Sequence, residues 1–146
     1  MAGDKVKKTS LRKDIYKRIK TGVPGLDGLI EGGLPEKSVI LLSGGAGCGK
    51  TTFATQFLME GLNTGDNVLY ITMEEMPEEI KVDAMQFGYD YSKYEDNGSC
   101  RIVYYDPFEL GELIERMTDL VNVNKVKRLV IDSISMLGLY LQEDYK

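Results

Sequence analysis

Ser38–Val39–Ile40–Leu41–Leu42–Ser43–Gly44–Gly45–Ala46–Gly47–Cys48–Gly49–Lys50–Thr51–Thr52 carries the strongest signal in this 146-residue chain. Residues Gly44 to Thr51 fit G-x-x-x-x-G-K-[ST], preceded by an apolar β run and followed by a helical pattern. That strand–loop–helix context separates a phosphate cradle from a glycine-rich turn with a surface lysine. Glycines let successive backbone N–H groups converge on one anion with no Cβ in the way. A helix N-terminus adds partial positive charge. The predicted phosphate contacts therefore run through Gly44, Gly45, Ala46, Gly47, Cys48, Gly49, Lys50, Thr51 and Thr52. Lys50 has the reach for the β and γ phosphates, and the Thr51 hydroxyl suits Mg²⁺.

Outward from the loop, periodicity predicts alternating strands and helices. Ser38–Ser43 reads as a first buried strand, because an unbroken apolar run suits a parallel sheet covered on both faces. Thr51–Asn63 reads as a helix, with Phe53, Ala54, Phe57, Leu58 and Leu62 at helical spacing. Asn67–Thr72 is a second strand. Pro77 to about Phe87 is a helix stopped by Gly88. Tyr89–Ser99 is polar and reads as irregular. Arg101–Tyr105 is a third strand. A helix is expected from Pro107, capped by Asp106, to about Val123, with Leu110, Leu113, Ile114, Met117 and Leu120 as its core stripe. Arg128–Asp132 is a fourth strand. Before the loop, a short helix at Leu26–Ile30 runs into a turn at Gly32–Pro35. The order predicts an α/β fold built on a parallel sheet with flanking helices.

Composition narrows the class. The length and the 42 % apolar content suit one globular domain. No apolar run approaches the ~20 residues of a membrane span, and no signal peptide is readable. Cys48 and Cys100 show neither metal spacing nor a disulfide framework, so a reducing, cytoplasmic setting is expected. The chain has no histidine, so any general base is Glu, Asp, Lys or Tyr. Residues 1–20 hold eight basic side chains against Asp4 and Asp14, while the chain as a whole carries a net charge of −5. This basic arm, with a short helix expected around Leu11–Ile19, suits either a solvated terminus or a docking point for DNA or a protein. The acidic remainder, residues 21–146, argues against an extended nucleic-acid surface.

Two acidic features complete the candidate site. Leu129–Val130–Ile131–Asp132 is an apolar strand tipped by a carboxylate, which in phosphate-loop enzymes orients the Mg²⁺ shell opposite the loop hydroxyl. Glu74–Glu75 directly follows the second strand, and strand ends in open α/β sheets face the ligand crevice. One of the two glutamates can polarise an attacking water; the alternative is that both serve the N-terminus of the Pro77 helix. Cys48, inside the cradle, is a small filler or, on a weaker reading, a thiol activated by the helix end.

Thr21–Asp27, Gly32–Pro35, the phosphate loop, Tyr70–Glu75 and Val130–Ser135 occur in an order and spacing that resembles the KaiC-like branch of the RecA superfamily of ATPases, a branch common in archaea. The resemblance covers about residues 20–137. It implies a P-loop NTPase fold with a RecA-like parallel sheet, and ATP with Mg²⁺ as ligands. It implies Glu74 as primary catalytic acid with Glu75 as its partner glutamate, Asp132 as the Walker B acid, and Ser133 near the γ-phosphate. It also implies a homo-oligomeric ring, with ATP between subunits and a basic residue supplied in trans. The family places its next strand between the loop strand and the Asp132 strand. With only four strands readable, those two have no common neighbour, so a truncated domain, a strand borrowed from another copy, or a rearranged sheet is expected. The expected function is Mg-ATP hydrolysis driving an oligomeric switch. The alternatives are a nucleotide-binding interaction module with little turnover and a recombinase-like DNA-binding ATPase; a small-molecule kinase is more distant, since no lid or acceptor motif is readable.

Overall fold

In the computed structural model, which describes residues 17–106, 110–136 and 138, the fold is organised on β3 (Val68–Thr72). Every residue of this strand is buried. A strand with no polar alternation must be paired on both edges and covered on both faces, and β3 is. It runs parallel to β4 (Cys100–Tyr104) on one side and β5 (Arg128–Asp132) on the other, in the order β4-β3-β5. Side-chain alternation then sorts the core into two layers. Val68 and Tyr70 pack with Ala54, Leu58 and Leu62 of α2 (Lys50–Asn63) and with Ile80 and Ala84 of α3 (Pro77–Gln86). Leu69 and Ile71 pack on the opposite face, with Leu113, Met117 and Leu120 of the helix at Leu110–Val123. Each fully buried leucine or isoleucine contributes on the order of 2 kcal/mol. This is the α/β architecture expected from the sequence, with helices on both faces of a parallel sheet.

The ends of these helices follow local chemistry. At α3, Pro77 occupies the first turn, Met76 N–H donates to Glu79 Oε2 at 2.8 Å, and Gly88 N–H closes the other end on Met85 O at 3.0 Å. At α2, Thr64 caps the C-terminus and Gly65 turns the chain away. A two-stranded antiparallel ribbon precedes the loop, with β1 (Arg18–Ile19) on β2 (Leu34–Pro35) and α1 (Leu26–Leu29) between them. Gly33 sits so close to Ile19 O that a Cβ would collide with that carbonyl, so the ribbon requires glycine there. Arg128 anchors this ribbon region to the sheet. Buried at 4 % exposure, it donates to Asp66 Oδ2 at 2.9 Å, Lys20 O at 2.7 Å and Phe57 O at 2.9 Å, and it stacks on the Phe57 ring.

Several expectations are corrected. Ser38–Ser43 is not a buried strand: it is irregular and exposed, with Val39 99 % and Leu41 77 % accessible. Both edges of β3 are already taken, and among the described residues no strand bridges β5 to this segment. An apolar run without a hydrogen-bonding neighbour has no sheet to enter. This is the missing-neighbour problem expected above, met here by a sheet from which the loop segment is left out. Ser92–Asp96, expected as irregular, is the short helix α4, and the Leu110–Val123 helix is accordingly α5. Arg18 and Ile19 are strand rather than the end of a helix, and Leu34–Pro35 is strand rather than turn. In α5, Ile114 is exposed instead of joining the core stripe. The expected helix start at Pro107, the side chain of Leu110 and most of the basic arm lie outside the described residues. Among the described residues, no helix is long and apolar enough to cross a membrane.

Candidate functional site

The register of the sheet brings the acidic strand ends together. Thr72 of β3 pairs with Asp132 of β5, so the residues that follow each strand leave the sheet side by side. Met73 N–H donates to Asp132 O at 2.8 Å. One step further along, Ser133 Oγ donates to Glu74 Oε1 in a short hydrogen bond, and the Asp132–Ser133 peptide is cis. Thr72 Oγ1 donates to Glu75 O at 2.7 Å, which fixes the turn carrying both glutamates.

The phosphate loop reaches this edge through α2. Gly49 takes φ +90° at the helix N-cap, a conformation glycine adopts without strain, and no side chain caps the helix. Nor does any acidic residue occupy its first turn. The leading N–H groups of a 14-residue helix are thus free of side-chain competition for an anion. Thr51, in that first turn, donates Oγ1–H to Asp132 Oδ2 at 2.9 Å. Lys50 arches back over the loop, its Nζ donating to Gly44 O at 3.0 Å and Gly45 O at 2.9 Å. Residues 44–49 are exposed, including the Cys48 thiol, and Thr52 is half-buried at the start of the helix.

The two adjacent glutamates part company. Glu74 is held on Ser133, beside Asp132. Glu75 lines an open surface groove with Glu78, Glu79, Val82 and Asp83 along α3. Partial desolvation pushes the Glu75 carboxyl above its usual range, and the negative charges of Asp83, Asp132, Glu79 and Glu74 push it further.

Thr51 and Asp132 offer a hydroxyl and a carboxylate 2.9 Å apart. Mg²⁺ prefers hard oxygen donors, takes few of them from protein, and completes its shell with phosphate oxygens and water. The donor set therefore fits this ion. Because the Thr51 hydrogen is committed to Asp132, the lone pairs of its oxygen remain available to a cation.

One contributor was not singled out from the sequence. Tyr70 is fully buried, and its hydroxyl donates to Asp132 Oδ2 at 2.7 Å. The available signal was a phenol inside an otherwise apolar central strand, because a buried tyrosine hydroxyl generally needs a partner.

Comparison with known proteins identifies relatives of the chain as a whole. The family described as "ATPase: KaiC" matches residues 19–146. The UPF0273 protein PF1931 of Pyrococcus furiosus is 36 % identical over 140 residues, covering 84 % of this chain and 57 % of that protein. The circadian clock protein KaiC3 of Synechocystis is 34 % identical over 141 residues, covering 89 % of this chain and 28 % of that protein. The crystal structure of the KaiC-like protein PH0186 from Pyrococcus horikoshii superposes with a TM-score of 0.80 at 41 % identity, covering 85 % of this chain and 56 % of that one. The chain thus spans little more than half the length of the UPF0273 relative.

Proposed function

This chain belongs to the KaiC ATPase family, and from that premise we propose that it binds ATP as the magnesium complex and hydrolyses it to drive a switch in an oligomer. The observation that carries the proposal is the convergence of Thr51, Asp132, Glu74 and Ser133 at one end of the sheet, beside an uncapped helix N-terminus.

In this reading the N–H groups of residues 45–51 hold the β-phosphate, and Lys50 exchanges the carbonyls of Gly44 and Gly45 for the β and γ phosphate oxygens. Thr51 and Asp132 hold the cation; Mg²⁺, when bound, neutralises phosphate charge in the transition state. Glu74 accepts a proton from, or orients, the attacking water, and Ser133 fixes its carboxylate for that task. Glu75 sets the negative field beside it. The loop is exposed on its outer side, so a neighbouring copy is the proposed source of the closing wall and of a cation in trans, as the family resemblance implies.

A second reading, nucleotide binding with little turnover, is favoured by the exposed Val39–Leu42 segment. A loop whose preceding residues are not seated in the sheet is held on one side only, by α2. Phosphate release from Mg-ATP as a function of protein concentration separates the two readings. A specific rate that climbs with concentration supports hydrolysis at sites completed between copies. Nucleotide binding without release at any concentration supports the second reading, and absence of binding overturns both.

A further inference from the structure

Asp132 Oδ2 receives two hydroxyl hydrogens, from Thr51 at 2.9 Å and from Tyr70 at 2.7 Å. We propose that Tyr70 is a positioning residue that, through Asp132, sets the divalent-cation demand of the nucleotide site. The inference rests on the nucleotide-binding reading above and names a residue that reading does not require.

The placement follows from strand geometry. Tyr70 pairs in register with Val130, and both side chains belong to the core layer shared with α2. Asp132 lies two residues further along β5, so it projects to the same face. The tyrosine ring spans that interval and delivers its hydroxyl to the carboxylate from inside the core, while Thr51 delivers the other hydroxyl from the helix. With both donors on Oδ2, Oδ1 has no hydrogen-bond donor among the described residues and is the oxygen left for the cation's hydration shell. A carboxylate pinned at one oxygen by two hydroxyls has little rotational freedom, and a neutral donor to an anion is among the stronger hydrogen bonds.

Packing alone does not require this hydroxyl. The position lies among apolar side chains, Leu58, Val68 and Val130 among them, where phenylalanine would fill the same volume. Partners that orient a metal-binding group typically change metal affinity by about 10–100-fold when removed.

The test is Tyr70→Phe, read by titration of a fluorescent ADP analogue with and without Mg²⁺, and by binding of Mn²⁺ in the presence of ADP, followed by electron paramagnetic resonance. The expected result is unchanged metal-free nucleotide affinity, with the Mg²⁺ midpoint and the Mn²⁺ dissociation constant raised about tenfold. In an Asp132→Asn background, Tyr70→Phe is expected to produce no further shift, because its effect passes through that carboxylate. A Mg²⁺ midpoint equal to that of the unsubstituted chain overturns the proposal, as does an equal loss with and without metal. A full additional shift in the Asp132→Asn background overturns it too, and so does a Tyr70→Phe chain that fails to fold, which would assign the hydroxyl to the core. If the unsubstituted chain binds no nucleotide at any Mg²⁺ concentration, the functional reading itself falls, an outcome distinct from binding with an unmoved midpoint.

Discussion

Thr51 and Asp132 are 81 residues apart in sequence, and the Thr51 hydroxyl donates to the Asp132 carboxylate at 2.9 Å. The bond joins the first turn of α2 to the last residue of β5 and so ties the phosphate loop to the sheet. Thr51→Val removes the hydroxyl and keeps the shape. It is expected to weaken Mg²⁺-dependent nucleotide binding at least tenfold while sparing metal-free binding. Thr51→Ser is expected to retain most of the metal response. Calorimetric titration of ADP with and without Mg²⁺ checks both, and equal affinities for the Val and Ser variants would remove Thr51 from the cation site.

Glu74 and Glu75 are neighbours in sequence but face different surroundings, Ser133 for the first and an open groove along α3 for the second. Glu74→Gln is expected to lower phosphate release by about 100-fold or more, the scale of general-base catalysis, with nucleotide affinity unchanged. Glu75→Gln is expected to have the smaller effect on turnover. If the two variants lost turnover equally, the positional distinction between them would carry no catalytic meaning.

Asp27 and Glu75 give opposite pH signatures. Burial pushes the Asp27 carboxyl up, but hydrogen bonds from the Thr21 N–H, the Thr21 hydroxyl and the Gly22 N–H outweigh it, and the group titrates below its usual range. Its stabilisation is present above the unfolded value of about 3.9 and is lost as pH falls through the lower folded value. Glu75 is shifted upward, so the native state holds its proton more tightly, and stability declines as pH rises from about 4.3 through the folded value. Thermal melts from pH 3 to 8 are expected to show Glu75→Gln more stable than the parent at neutral pH, with no difference at the acid end. Asp27→Asn is expected to show the reverse pattern, costing stability at neutral pH and little at the acid end. A Glu75→Gln chain less stable at pH 7 would contradict the assigned sign.

Elements with strong internal periodicity were legible from sequence. α2, β3, α3 and β5 stand within a residue or so of their expected bounds, because burial sets pattern and length: one face for the helices, an unbroken apolar run for the fully buried β3. What sequence could not supply was pairing. The apolar content of Val39–Leu42 gives it strand character, but a strand exists only where another backbone completes its hydrogen bonds, and that neighbour is not specified locally. α4, five residues inside a polar stretch, is too short to show a period. The acidic strand ends were readable as a group. The division between Glu74 and Glu75 came from the family resemblance alone, because what the two strands place beside each carboxylate is not specified locally. The Tyr70–Asp132 bond spans 62 residues and requires the register of β3 and β5.

Arg128 is the clearest case of a charge that the core organises around. Its guanidinium is buried on Asp66, two backbone carbonyls and the Phe57 ring, and its side chain lies where a Cβ on Gly61 would intrude. Arg128→Met fills much of the volume but leaves those carbonyls and Asp66 without their donor. The expected cost is about 3 kcal/mol, measured as a shift in the urea midpoint at unchanged slope. Lysine supplies one point charge in place of a fork, so Arg128→Lys is expected to recover only part of the loss. Full recovery by lysine would mean that charge alone matters here.

The segment ahead of the loop can be tested by charge insertion. Val39 and Leu41 are 99 % and 77 % exposed, so neither contributes appreciably to the buried core. Val39→Lys and Leu41→Lys, alone or together, are expected to change the stability of this 146-residue chain by no more than about 0.5 kcal/mol, the range for surface substitutions. They are also expected to reduce binding of a hydrophobic dye and any self-association, because an exposed apolar run is a ready template for pairing with another chain. If the segment instead inserted into the sheet beside β5, the same lysines would be buried without partners and would cost several kcal/mol. Urea unfolding of the double variant therefore distinguishes a segment outside the sheet from one within it, and a large loss of stability would restore Ser38–Ser43 as a core strand.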